Sequence, residues 1–163
     1  MHSTDDHPWR PVGRRTVITE GAVSGSGRSP SMRRVTSTAK GTFDVSLAPG
    51  AAELGGAVGR FDLTKTFHGD LEGAGVGVML AGGDPQAGSA GYVAIETVTG
   101  RLGERTGAFA LQQFGTMHEG TPTLHYEVVP GSGSGELVGI TGTVALTIDA
   151  DGHHFVLEYQ LPA

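Results

Sequence analysis

The sequence predicts an all-β fold, a single eight-stranded antiparallel barrel behind a disordered N-terminal extension. Three observations predict it. Apolar and polar residues alternate with period 2 from Thr38 onward, the spacing that puts alternate side chains on one sheet face. The alternating runs recur at short, even intervals, and no amphipathic helix lies between them, which marks a sandwich or a barrel. Closure removes the exposed edges that an open sheet leaves, so the barrel is preferred.

Residues 1–36 mix Pro, Gly, Ser and Arg without sustained periodicity and read as a disordered basic extension, with 37–163 as the barrel domain. Arg14-Arg15 resembles the start of a twin-arginine export signal, but Glu20 interrupts the apolar stretch such a signal needs. Met32, just ahead of "RRVTSTAKGTF", offers a later start.

The first barrel strand alternates Phe43, Val45 and Leu47 with Thr42, Asp44 and Ser46. After a Gly/Ala-rich connection, Phe61, Leu63 and Phe67 alternate with Asp62, Thr64 and Thr66, and Lys65 shares the parity of the apolar set. Over 71–81, Glu72, Ala74, Val76, Val78 and Leu80 occupy one face while Gly73, Gly75 and Gly77 line the other. Glycines in such a row signal strong bending or close approach of another backbone. Further strands are expected near 90–99, 106–117, 122–129, 141–149 and 153–161.

The most glycine-dense motif, "PGSGSGELVGITG" (130–142), invites a phosphate-cradle reading. A cradle needs a glycine loop that opens a helix. Here the motif is instead one copy of a repeat, with "GRLGERTGAFAL" (100–111) matching "GELVGITGTVAL" (135–146) at a shift of 35 residues. Both copies lead into strands, so the glycines read as the corner between two barrel strands. The repeat also fixes a register in which Gln113 matches Ile148. Gln113 and Lys65 therefore mark a polar spot in an apolar interior, because burying either without a partner costs several kcal/mol.

Composition bounds the function further. The chain has 28 glycines among 163 residues, with no asparagine and no cysteine. Disulfides, thiolate metal sites and a cysteine nucleophile are excluded. Residues 36–163 carry a balance of −9 against +3 for residues 1–35, and an acidic body argues against a nucleic-acid partner. No apolar run approaches the ~18 residues of a membrane helix. No cofactor is expected, and the protein reads as cytoplasmic.

The candidate chemistry is correspondingly sparse. Lys65 is a general base or imine-forming amine if desolvation lowers its pKa, or else a rim lysine paired with an acid. Tyr92 and Glu96 share one strand face and could orient a ligand and move a proton, but alternation does not decide whether they or Val93 and Ile95 point inward. Lys65 and Glu96 are the candidate catalytic pair; Tyr92, Gln113, Tyr126 and Tyr159 are the candidate ligand-binding residues. His68, Asp70 and Glu72 lack a matching distant ligand, and His153 and His154 point to opposite faces, so no metal site is assigned.

The motifs "KTFHGDLEG", "SAGYVAIETVTGRLG", "GAFALQQFGTM" and "VVPGSGSGELVGITGTV" closely resemble a bacterial family of unknown function with an allene oxide cyclase-like barrel. The resemblance runs from about Lys40 to Leu161 and implies an eight-stranded barrel with an apolar lumen, without implying an activity. It also implies two departures: family members often carry His-Ser where this chain has Gln113-Phe114, and an acid near Val78. The expected function is a small-molecule-binding barrel with an apolar lumen. The alternatives are a cofactor-independent isomerase or cyclase that confines a flexible substrate, and a structural barrel that forms homo-oligomers through its outer surface.

Overall fold

The computed structural model describes residues 16–18, 34–51 and 55–163. The disordered extension expected over 1–36 lies mostly outside them. Ten strands are described: β1 (Thr16–Ile18), β2 (Thr36–Pro49), β3 (Val58–Gly69), β4 (Leu71–Asp84), β5 (Ser89–Leu102), β6 (Arg105–His118), β7 (Thr121–Val128), β8 (Ser134–Gly135), β9 (Thr141–Asp149) and β10 (Gly152–Gln160). The eight long strands form a closed antiparallel barrel. Strands β2 to β7 run as a meander, β9 and β10 follow, and β10 returns to pair along β2. The seam closes where β7 meets β9 at Glu127 and Thr143. Beyond that point β1 takes the free edge of β9, Thr16 to Ile18 opposite Ile148 to Leu146.

Alternation places the core as the pattern requires. Phe43, Leu63, Phe67, Phe109, Leu111, Leu146, Ile148, Phe155 and Leu157 are buried inside. Phe67 packs edge-on against Phe155, with ring centroids 5.7 Å apart. Tight corners need positive φ, and with no asparagine in the chain that falls to glycine. Among the described residues Glu119 is the only non-glycine with positive φ.

The two ends of the barrel differ. At the end formed by Gly69–Leu71, Leu102–Arg105 and Thr141, the interior is plugged by Leu71, Leu102, Leu137 and Ile140, all fully buried. A row of glycines allows this. Gly73, Gly100 and Gly107 pair across β4, β5 and β6, and a Cβ at any of them would collide with a carbonyl of an adjacent strand. Residues 130–142 supply part of the plug. They were expected to form only a corner, and instead they carry Leu137 and Ile140 into the interior. Bonds Leu137 N–H to Ser134 O (3.1 Å) and Ile140 N–H to Leu137 O (3.1 Å) satisfy the backbone as it enters. Thr106 N–H ties the loop to β6 through the Glu136 carboxylate at 2.8 Å, a bond that holds this carboxyl below its usual range.

At the opposite end the inward positions are only half-buried. Val45, Leu47, Phe61, Tyr92, Gln113 and Met117 share the parity of buried neighbours yet keep partial exposure. One end is stoppered; at the other the inward side chains keep partial contact with solvent.

Candidate functional site

Strand β5 decides the site. Ala94, Glu96 and Val98 face inward and are buried, while Val93 and Ile95 are each 53 % exposed. The face that alternation left open is therefore the one carrying Glu96 and Tyr92. Lys65 projects inward from β3, two strands away. The strand between them is β4, and its inner positions are Gly75 and Gly77, paired with Lys65 and Glu96 respectively. A Cβ at Gly75 would lie 2.6 Å from Glu96 Oε2 and 3.3 Å from Lys65 Cβ. The glycine face of β4 is thus the gap through which the two charged side chains meet.

They meet closely. Lys65 Nζ donates to Glu96 Oε1 at 2.7 Å and to Tyr126 Oη at 2.9 Å. The Tyr126 hydroxyl in turn donates to Glu96 Oε1 at 2.8 Å. The ammonium also stands over the Phe43 ring, 4.6 Å from its centroid, a face attractive to a cation. Lys65 and Glu96 are 5 % and 2 % exposed, and among the described residues they are the only buried charged side chains. Glu96 Oε2 is buried with no hydrogen-bond partner among the described residues.

Electrostatics follow from burial. Desolvation pushes the Lys65 ammonium below its ordinary value, and the Glu96 carboxylate opposes that shift. Desolvation, with the negative charge of Glu96, raises both the Tyr126 and the Tyr92 phenol, so both stay protonated far into the alkaline range. The cluster combines a carboxyl group, an amine and a phenol within one apolar interior, groups of the kinds that serve as general acids and bases.

On the partly exposed side of this triad, Tyr92 Oη donates to Gln113 Oε1 at 3.0 Å. The Tyr92 ring lies over Gly115, its cross-strand partner, where any side chain would strike it. The repeat register holds at this point: Gln113 faces inward on β6, as Ile148 does on β9. Five of the six candidate residues (Lys65, Glu96, Tyr126, Tyr92 and Gln113) gather in one region. Tyr159 does not. It pairs with Ser37 and Gly142 and packs on the core near the plugged end, so the structure separates it from the cluster.

Two further expectations, for Lys65 and Val78, are corrected. Lys65 is not a rim lysine; its partner acid lies in the interior. Val78 is on the outer face of β4, so its apolar character says nothing about the lumen. The interior is apolar except at the triad, the Tyr92–Gln113 pair and His153. His68, Asp70 and Glu72 scatter: His68 Nε2 meets Asp44 Oδ2 at 3.0 Å, Asp70 Oδ2 accepts from Lys40 N–H at 2.8 Å, and Glu72 Oε2 accepts from Arg101 at 2.5 Å. His153 stacks on Phe43 inside, with centroids 4.9 Å apart, whereas His154 meets Asp149.

Sequence reasoning missed the place of Phe43 beside Lys65, because only the long-range register brings β2 and β3 into line there. It also missed an apolar concavity of about 400 Å³ on the outer surface, lined by Val78, Leu80, Val93, Ile95 and Phe114. Here the signal was present, since the residues opposite in parity to Tyr92 and Glu96 are themselves apolar.

Comparison with known proteins places this geometry. No curated protein matches the chain. A crystal structure of a protein of unknown function from Shewanella oneidensis MR-1, assigned to the DUF3224 family, is 46 % identical. The match covers 80 % of this chain and 100 % of that one, with a TM-score of 0.71. The model of the same family, described as "Protein of unknown function (DUF3224)", matches residues 39–159, a span that holds all eight barrel strands in whole or large part and every residue of the triad. The chain belongs to the DUF3224 family of proteins of unknown function.

Proposed function

We propose that the barrel binds a small, mostly apolar molecule through its half-buried mouth, with the Lys65–Glu96–Tyr126 cluster at the floor of the site. The observation that carries this reading is the buried ion pair itself. Taking two charges out of water costs several kcal/mol per ion, and apolar residues of similar volume usually serve stability as well or better. Three polar groups from three strands, converging where aliphatic side chains would suffice, argue for a use beyond folding. Half-buried Tyr92 and Gln113 above the triad add polar groups that would orient a ligand among Val45, Leu47, Phe61 and Met117.

Native mass spectrometry of the protein purified from its own organism tests this. The expected spectrum shows a second species heavier by one small molecule, lost on Tyr126→Phe with Lys65→Met. A polypeptide mass alone, together with amide NMR signals of the mouth residues unmoved by a panel of small apolar compounds, would refute the reading.

A second reading, a cofactor-independent isomerase or cyclase of the allene oxide cyclase-like kind, draws support from the lowered ammonium pKa of Lys65 beside a carboxyl group and a phenol. Confinement plus a few oriented proton-transfer groups is enough for such chemistry. Turnover abolished by Lys65→Met, with ligand retention kept, would favour it over simple binding.

A further inference from the structure

We infer that Lys65 forms a reversible imine with a small aldehyde or unhindered ketone, which names the class of molecule the barrel takes. This rests on the binding reading above and adds a covalent step to it. Three features of the cluster point to carbonyl chemistry. The amine stands in an apolar interior, where addition to a carbonyl is not outcompeted by bulk water. The Glu96 carboxylate touches the amine at 2.7 Å, and its second oxygen has no donor among the described residues, leaving it able to take a proton. The Tyr126 hydroxyl is 2.9 Å from Nζ, within reach of an oxygen leaving the carbon that the amine attacks.

The step balances without any added reagent. Lys65 passes one proton to Glu96 Oε1, the oxygen it touches, and the freed lone pair forms the N–C bond to the carbonyl carbon. The carbonyl oxygen takes a proton from Tyr126, which is restored from Glu96, giving a carbinolamine. A second nitrogen proton reaches the hydroxyl by the same route, the C–O bond breaks, and water leaves. In sum an ammonium and a carbonyl compound become a protonated imine and water, with no oxidation or reduction. The product keeps the positive charge on Nζ, so the pairing with Glu96 survives the reaction. A buried carboxylate is then never left uncompensated.

The chain offers an unusually clean test, because it contains two lysines, Lys40 and Lys65. Lys40 lies on the outer side of β2 and is exposed. The full chain is incubated with limiting butanal and cyanoborohydride, which reduces any imine to a stable butyl-lysine, and the adduct is located by peptide mapping. The expected result is labelling of Lys65 about tenfold faster than Lys40, with the preference lost in denaturant. Glu96→Gln should slow Lys65 labelling about tenfold or more. Labelling confined to Lys40 and the N-terminal amine would overturn the inference, and because it is read in the parent protein it does not depend on any variant folding. Titration with 1-butanol, followed by amide NMR, separates the two readings. Shifts at Tyr92, Gln113 and Met117 without an adduct at Lys65 overturn the imine and leave the binding site standing, whereas neither shifts nor adduct overturns both.

Discussion

Between Tyr92 and Glu96, β5 turns its polar groups inward and its branched aliphatic side chains outward, the reverse of the usual order. Inside stand Tyr92 and Glu96; outside, in contact with solvent, stand Val93 and Ile95. Nearby strands extend the pattern, with Lys65 inward on β3 and Val76 and Phe114 exposed on β4 and β6. An exposed valine or isoleucine is common on protein surfaces and costs little. A buried lysine–glutamate pair is not common, and it persists only where partners are placed around it. The comparison therefore separates residues that tolerate their surroundings from residues that their surroundings were built to hold. Gly75, Gly77, Tyr126 and Phe43 all belong to that second construction.

The sharpest way to break the inner face is to remove one partner. Glu96→Ala leaves the Lys65 ammonium buried against Phe43 and Tyr126 and should cost about 3–5 kcal/mol, read by urea denaturation. Tyr126→Phe deletes a donor to Glu96 and an acceptor for Lys65 while keeping the ring, and should cost about 1–3 kcal/mol. An effect of Tyr126→Phe as large as that of Glu96→Ala would mean the hydroxyl, not the charge pair, organises the cluster.

Alkaline pH probes the same face without mutation. The Tyr126 and Tyr92 phenols are raised above their ordinary value of 10.0 by burial. The unfolded chain releases these protons first, so their stabilisation is complete below pH 10 and drains away as pH rises above it. Lys65 works in the other sense. Its value is lowered from 10.5, the unfolded state binds the proton more readily, and its contribution to stability rises with pH up to that value. Denaturation curves of Tyr159→Phe should lose stability above pH 10, with tyrosinate absorbance appearing only on unfolding. Tyrosinate in the folded protein just above that pH would contradict the burial of both rings.

The outer face should answer weakly. Val93→Thr and Ile95→Thr are expected to change stability by no more than about 0.5 kcal/mol each. A larger loss that grows on dilution would show that the concavity between Val78, Leu80 and Phe114 is covered by another copy of the chain, the structural alternative for this barrel.

Much of this was legible in the sequence. Period-2 alternation located all eight long strands, because each has one face in the core and one in solvent. The internal repeat put Gln113 inside by matching it to Ile148, and parity did the same for Lys65. What resisted was the facing of β5, whose two sides are each a mixture of apolar and polar residues. Convergence of Lys65 with Glu96 also resisted, since it depends on the register of β3, β4 and β5 together. The glycines of β4 announced a close approach without saying what approached. Residues 130–142 misled in a different way: their turn signals are genuine, yet Leu137 and Ile140 leave the surface to stopper the barrel.

On the proposed function, the ion pair is held for what it binds rather than for the stability it lends. The direct measurement is urea denaturation of Lys65→Met combined with Glu96→Leu and Tyr126→Phe, which replaces both charges by apolar groups of similar size and removes the hydroxyl they would leave unpaired. The expected protein is as stable as the parent, or more stable by about 1–4 kcal/mol. A loss of several kcal/mol in this triple variant would make the pair a structural element and contradict that reading.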